Sequence, residues 1–191
     1  MHREQLLIHA KSSIRKALLQ NPNAVQYFTD GSVAHSSSNS AVGAAFYRPP
    51  VSSLTTSTVQ PFSFKQRWSD NRSSLSAELA AIVLALRNFI NGGYYHSNKS
   101  ILIHTDSKSA LHCLHNRNPK ENTDLIHKIF ILIKKIHSKG GQVIFNWIPS
   151  HCGLLQNDIV DQLAKQASKS SGNFFTINPS KSAYKQKNLT F

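Results

Sequence analysis

At 191 residues the chain has the length of one ordinary domain with room for extensions, long enough to bury a real core. Its apolar fraction of 40% lies outside the disordered range, and two cysteines exclude a disulfide framework. With 22 Lys and Arg against 9 Asp and Glu, a net charge of +13 points to a polyanionic partner, nucleic acid first, because each neutralised phosphate releases condensed counterions.

Cys113 and Cys152 lie far apart without zinc-site spacing, which reads as reduced thiols in an intracellular protein; nucleus and cytoplasm stay open. No stretch approaches the ~18 apolar residues of a spanning helix, since Lys128 and Lys134 interrupt Leu125 to Ile136, so no membrane partner is expected. Residues 1–24 read as a leading helix or linker. Leu6, Leu7, Ile14, Leu18 and Leu19 give it one apolar side, and a basic transit segment is the weaker alternative.

Val25 to Thr29 is a short β-prone run ending in Asp30-Gly31-Ser32. A polar tip, Ser36 to Ser40, leads to a second strand over Ala41 to Tyr47, broken by Pro49-Pro50. Beyond a Ser/Thr-rich stretch, Phe62 to Trp68 is a third strand, which predicts an antiparallel meander. Helical spacing then takes over at Leu75, Leu79, Ile82, Leu86 and Phe89, stopped by Gly92-Gly93. Ile101 to Ile103 reads as a buried strand closed by His104-Thr105-Asp106. A short helix follows from Ser107 to His115, capped by a serine or by Asp106 itself. After a polar connection, Asn116 to Thr123, the residues Leu125, Ile126, Ile129, Phe130, Ile133 and Ile136 mark another helix, stopped by Gly140-Gly141. Val143 to Ile148 is the fifth strand, and a last helix spans about Asn157 to Lys169. Residues 171–191 read as a basic, flexible tail. The order of elements predicts one α/β domain over residues 25–170, a three-layer fold with a mixed five-stranded sheet flanked by helices.

The acids carry the functional signal. A chain this poor in carboxylates should keep them solvated, yet Asp30 and Asp106 close apolar strand runs, Glu78 sits in a helix of Ala, Leu and Ile, and Asp161 lies between Val160 and Leu163. Desolvated carboxylates need a partner, and hard divalent cations such as Mg²⁺ suit oxygen ligands. Two such ions ~3.5–4 Å apart can activate water and stabilise the leaving oxygen of a phosphodiester. Taken singly, each acid reads equally well as a helix cap, a turn former or a surface charge.

Several motifs bear a family resemblance. Tyr27-Phe28-Thr29-Asp30-Gly31-Ser32, Ser76-Ala77-Glu78-Leu79-Ala80-Ala81-Ile82 and Thr105-Asp106-Ser107-Lys108-Ser109-Ala110-Leu111 resemble the first-aspartate, glutamate and second-aspartate motifs of type 1 RNase H. Trp147-Ile148-Pro149-Ser150-His151-Cys152-Gly153 and the following Asn157-Asp158-Ile159-Val160-Asp161-Gln162-Leu163-Ala164-Lys165 resemble its final histidine loop and aspartate helix. In wording they are most similar to RNase H domains of non-LTR retrotransposon polyproteins, and the likeness spans Val25 to Ala167.

The resemblance implies an RNase H-like fold and hydrolysis of the RNA strand of RNA/DNA hybrids, leaving 3′-hydroxyl and 5′-phosphate ends. Asp30, Glu78, Asp106 and Asp161 would hold two Mg²⁺ ions, with Mn²⁺ as the alternative. His151, on a mobile loop, would assist proton transfer or product release. Gly31 and Ser32 would offer backbone donors to the RNA strand. Asn157-Asp158 stands where the family has Asn-Glu and implies a supporting role; motif register favours Asp161 over Asp158 as the fourth ligand. The connection Asn116 to Thr123, holding only Arg117 and Lys120 as bases, is too short for the basic protrusion of bacterial relatives. Grip on substrate is therefore expected from basic termini or from a reverse transcriptase domain of a parent polyprotein. Two rivals remain: a catalytically silent nucleic-acid-binding remnant of a mobile element, and another nuclease or an integrase on the same fold.

Overall fold

A computed structural model describes residues 2–35, 40–50, 60–68, 72–94, 99–116 and 122–170. The expected polar tip at 36–39, most of the Ser/Thr-rich stretch, Arg117 and Lys120, and the tail 171–191 lie outside these residues.

The elements run α1 (Arg3–Gln20), β1 (Val25–His35), β2 (Ser40–Arg48), β3 (Phe62–Trp68), α2 (Ser74–Asn91), β4 (Ile101–Thr105), α3 (Lys108–Asn116), α4 (Thr123–His137), β5 (Val143–Trp147) and α5 (Leu155–Lys169). They build one five-stranded sheet in the order β3-β2-β1-β4-β5. The first three strands form the antiparallel meander, while β4 pairs parallel to β1, and β5 parallel to β4. Parallel neighbours need a crossover, which α2 supplies before β4 and α3 with α4 before β5.

Strand alternation divides the core in two. On one face Val25, Tyr27, Val42, Ala44, Phe46, Ile101 and Ile103 pack against α2 and the apolar side of α4. On the other, Phe28 and Ala45 pack with Val160 and Ala164 of α5, Ala10 of α1, and Ile148, Cys152 and Leu154. The result is the three-layer α/β architecture that the order of elements predicted. By length and hydropathy α2 would suffice to cross a membrane, yet most of it is buried as the central core helix; a helix apolar all round is explained here by neighbours on several sides.

Two boundaries depart from the sequence reading, and at a third the structure settles a choice the sequence left open. β1 does not stop before Asp30 but continues to His35, because β2 pairs with it residue by residue out to His35↔Ser40. Asp30 is thus mid-strand. The first-turn cap of α3 is Ser107, whose Oγ accepts from the Ala110 amide at 3.2 Å, so Asp106 is not used as a cap. α5 begins at Leu155, two residues early, because its N-cap Leu154 makes no side-chain capping bond that composition could signal.

α1 is tied to the sheet by a buried polar chain. Ser13 Oγ donates to Asn146 Oδ1 at 2.9 Å, and Asn146 Nδ2 donates to His104 Nδ1 at 3.1 Å. His104 Nε2 then lies 3.3 Å from Gln26 Oε1. This ring is fully buried and stacked on Phe28, and burial pulls its pKa down to about 4, so it is a neutral core histidine.

One close contact seats α5. A Cβ at Gly43 of β2 would fall 2.3 Å from the Ala164 carbonyl oxygen and 2.3 Å from the Ser168 amide nitrogen. Gly43→Ala is expected to push α5 off the sheet and to lower the unfolding free energy by about 1–3 kcal/mol, measurable by urea titration.

Candidate active site

The acids meet at one rim of the sheet. Asp30 projects from the middle of β1, Asp106 follows the last residue of the adjacent β4, and Glu78 comes from the second turn of α2. One oxygen from each lies within 4.8 Å of the others. Asp161, from α5, lines the same cavity of about 340 Å³, along with Gly31, Ser32, Ser107, Ser150, His151 and Lys165. It stands outside the tight group of three, and its Oδ2 accepts from Lys165 Nζ at 2.7 Å. Asp158, one turn earlier on α5, does not line the cavity.

A missing side chain brings Glu78 to Asp30. A Cβ on Gly31 would lie 2.3 Å from the Ala77 carbonyl carbon and from the Glu78 amide nitrogen. Any larger residue would force α2 away and carry Glu78 with it. The Gly31 amide lies beside both carboxyls and opposes the rise in pKa of Asp30 and of Glu78.

Asp106 is fixed by the turn between β4 and α3. Its carbonyl accepts from the Trp147 indole at 3.1 Å and from the Lys108 amide at 3.1 Å. Lys108 Nζ sits 4.2 Å from the centre of the Trp147 ring, closing the turn from outside. Asn157 Nδ2 donates to the Asp106 Oδ2 at 3.2 Å, a supporting contact for one member of the Asn157-Asp158 pair.

The electrostatics are those of a site short of positive charge. Burial first, then the charges of Asp106 and Asp161, push Asp30 up to about 7, with the Gly31 amide and Lys165 opposing. Glu78 is raised well above the usual carboxylate range by burial and by Asp30 and Asp106. Asp106 is raised by burial, against the Asn157 hydrogen bond and the nearby His151. Asp30 Oδ2 and Glu78 Oε2 are shut off from solvent with no hydrogen-bond partner. Two unit charges 4–5 Å apart repel by on the order of 3–4 kcal/mol at an effective dielectric of 20, so three ionised carboxylates here require a counter-charge. Orphaned, convergent, all-oxygen donors fit hard divalent cations.

His151 lies at the cavity rim on the loop between β5 and α5, exposed, with φ of 50°. A non-glycine residue in the left-handed region costs about 1–3 kcal/mol and persists only where its surroundings enforce it.

The lysine was missed by sequence reasoning. Lys165 contributes the cavity's principal cation, and its four-residue spacing from Asp161 on one helix was the available signal. A larger groove, about 650 Å³, lies beside α1 and is lined mainly by Ile14, Leu18, Leu19, Phe28 and Leu154. It holds no carboxylate and is remote from this chemistry.

The fold and the four-acid cavity together present a candidate divalent-cation site on a mixed α/β sheet, and comparison with known proteins identifies the family. Residues 22–169 match the RNase H family, and the chain belongs to that family. Its fold is RNase H-like: RNase H1 of the halophilic archaeon Halobacterium salinarum superposes with a TM-score of 0.53 at 17% identity, covering 75% of this chain and 96% of that one. The N-terminal RNase H domain of a Mycobacterium tuberculosis protein, solved as a fusion with maltose binding protein, gives 0.49 at 15% identity, covering 76% and 94%.

A carboxyl whose pKa is higher in the folded protein than in the unfolded chain binds its proton more tightly when folded. Its stability contribution is full below the unfolded value, near 4, and is lost as pH rises toward the folded value of about 7. Without divalent cations, the wild type should therefore lose thermal stability relative to Asp30→Asn between pH 4 and pH 7, and Mg²⁺ should restore the wild type only. Thermal melts of both proteins across that range, with and without Mg²⁺, check this; parallel curves would refute it.

Proposed function

We propose that the chain is an endonuclease that hydrolyses the RNA strand of RNA/DNA hybrids and leaves 3′-hydroxyl and 5′-phosphate ends. The observation that carries this reading is the convergence of Asp30, Glu78 and Asp106 within 4.8 Å at a partly closed rim, with two of their oxygens unpartnered. Family membership supplies the substrate class.

Asp30, Glu78 and Asp106, with Asp161 beside them, would hold two Mg²⁺ ions or, alternatively, Mn²⁺. Bound cations would supply Lewis-acid activation of water and neutralise charge on the phosphodiester. The chain's own groups do the rest. Asn157 holds the Asp106 carboxylate in one orientation, and Gly31 keeps α2 close enough for Glu78 to join it. Lys165 offsets the charge of Asp161 and leaves that carboxylate anchored at the cavity wall. His151, which lines the cavity, would take or return a proton as the strand is cut and released. Gly31 and Ser32 line the cavity where the RNA backbone would pass, with the Gly31 amide also facing the carboxyls of Asp30 and Glu78. A hybrid is read by shape and by 2′-hydroxyls, with little base readout.

The motif wording supports an origin in a non-LTR retrotransposon polyprotein, with a reverse transcriptase domain as the natural companion for substrate grip and an intracellular site of action. The net charge of +13 supplies sequence-independent attraction to the phosphate backbone.

The test is incubation of the purified chain with labelled RNA/DNA hybrid, duplex RNA and duplex DNA, in Mg²⁺ or EDTA. The RNA strand of the hybrid should be cut in Mg²⁺ alone. Groups that merely support a metal ligand are worth about 10–100-fold, so Asp30→Asn or Glu78→Gln should cost more than about a hundredfold. Hybrid cleavage that survives Asp30→Asn would sink the mechanism; binding without cleavage by the wild type would favour the silent remnant.

A further inference from the structure

We propose that α1, which precedes the family-matched segment 22–169, is a positioning element for the His151 loop, residues 148–154. For its effect on turnover the inference rests on the hydrolase reading above; for its effect on the loop it does not.

Three independent contacts join the helix to this loop and its supporting strand. Ala10 is fully buried in the cluster that contains Ile148, Cys152 and Leu154, with Leu6, Leu7 and Ile14 packed around it. These four residues follow helical spacing and form one apolar stripe, directed at the base of the loop. At the N-terminal end, the Arg3 guanidinium lies over Gly153, its Nη2 3.5 Å from where a Cβ would stand. Further along, Ser13 donates to Asn146 on β5, two residues before Ile148.

The loop has reason to need support. His151 is held at φ of 50° and Gly153 at φ of 85°, so two of its residues occupy the left-handed region within three positions. Among the described side chains of the loop, one hydrogen bond stays inside it, from the weak donor Cys152 Sγ to the Pro149 carbonyl at 3.4 Å. What fixes the exposed His151 is therefore the anchoring of its neighbours: Ile148 is fully buried, Cys152 is 2% exposed and Leu154 is 5% exposed. α1 contributes Ala10, with Leu6, Leu7 and Ile14 beside it, to the cluster that buries them. Removing that support should leave the metal-binding acids in place, since none of Asp30, Glu78 and Asp106 is carried by this helix.

The experiment combines hydrogen exchange with a mutant cycle, using the full chain. Ala10→Glu places a charge in the buried stripe, and Arg3→Ala removes only the guanidinium over Gly153. Leu19→Ser, at an exposed position on the same helix, is the control. Both test variants should speed amide exchange at residues 149–154 by about tenfold or more while β1 and β4 keep wild-type protection, and Leu19→Ser should change neither. On the labelled hybrid, both should lower kcat by about three- to tenfold at unchanged KM, and neither should lower it further in a His151→Ala background. Unchanged exchange at 149–154 in Arg3→Ala and Ala10→Glu would overturn the proposal, as would an undiminished loss of kcat in the His151→Ala background. If Ala10→Glu fails to fold, Arg3→Ala decides alone. If the wild type cuts no hybrid, the hydrolase reading fails, and the exchange measurement still decides whether α1 holds the loop.

Discussion

Three carboxylates forced together at the rim of the sheet are the constraint on which the rest of this structure turns. Burial and mutual repulsion raise the pKa of each, and two of their oxygens have no protein partner. Such a cluster costs stability in isolation and is retained only where a cation or a reaction uses it. Four of the chain's nine acids line this one cavity, in a protein that otherwise carries a large excess of positive charge. The same excess attracts a polyanion to the surface. On the proposed reading, long-range attraction and local acidity would divide the labour: the surface would gather phosphate, and the acids would accept it through a bound cation.

Backbone approach makes the cluster possible. Gly31 lets α2 settle onto β1 from one face, and Gly43 lets α5 settle onto β2 from the other. Each helix brings an acid to the rim, Glu78 from one side and Asp161 from the opposite one. The tight turn after β4 supplies Asp106 from the sheet itself, with its backbone clamped by Trp147 and its side chain by Asn157. A two-sided seating of this kind explains why the site needs the whole three-layer fold and is not a local motif. It also separates the roles of the acids, because Asp161 is held by its own lysine while the other three press on one another.

α1 extends that logic beyond the segment shared with the family. It fills the part of the second face that α5 leaves open, binds β5 through a buried polar chain, and meets the histidine loop from behind. A loop with two left-handed residues gains definition from whatever pins its ends. On the inference drawn above, part of that pinning comes from a helix that composition alone left open as a helix or a linker.

The sequence by itself determined the elements and their order, since hydrophobic period switches plainly between the strands and α2, and glycine pairs end α2 and α4. It also singled out four anomalous acids, Asp30, Glu78, Asp106 and Asp161, in apolar surroundings where a solvated charge has no place; that the first three crowd together and Asp161 stands apart was set by the folded structure. Other features lay out of its reach for physical reasons. The continuation of β1 past Asp30 depends on pairing with β2, a non-local term absent from any window of the chain. The packing of α1 against residues 148–154 and the bond from Asn157 to Asp106 were decided by tertiary contact, whereas the Ser107 cap and the pair of Asp161 with Lys165 are local to one helix each. Local propensity names the residues that can do chemistry; only the closing of helices onto both faces of the sheet sets which of them touch, and which are left without a partner.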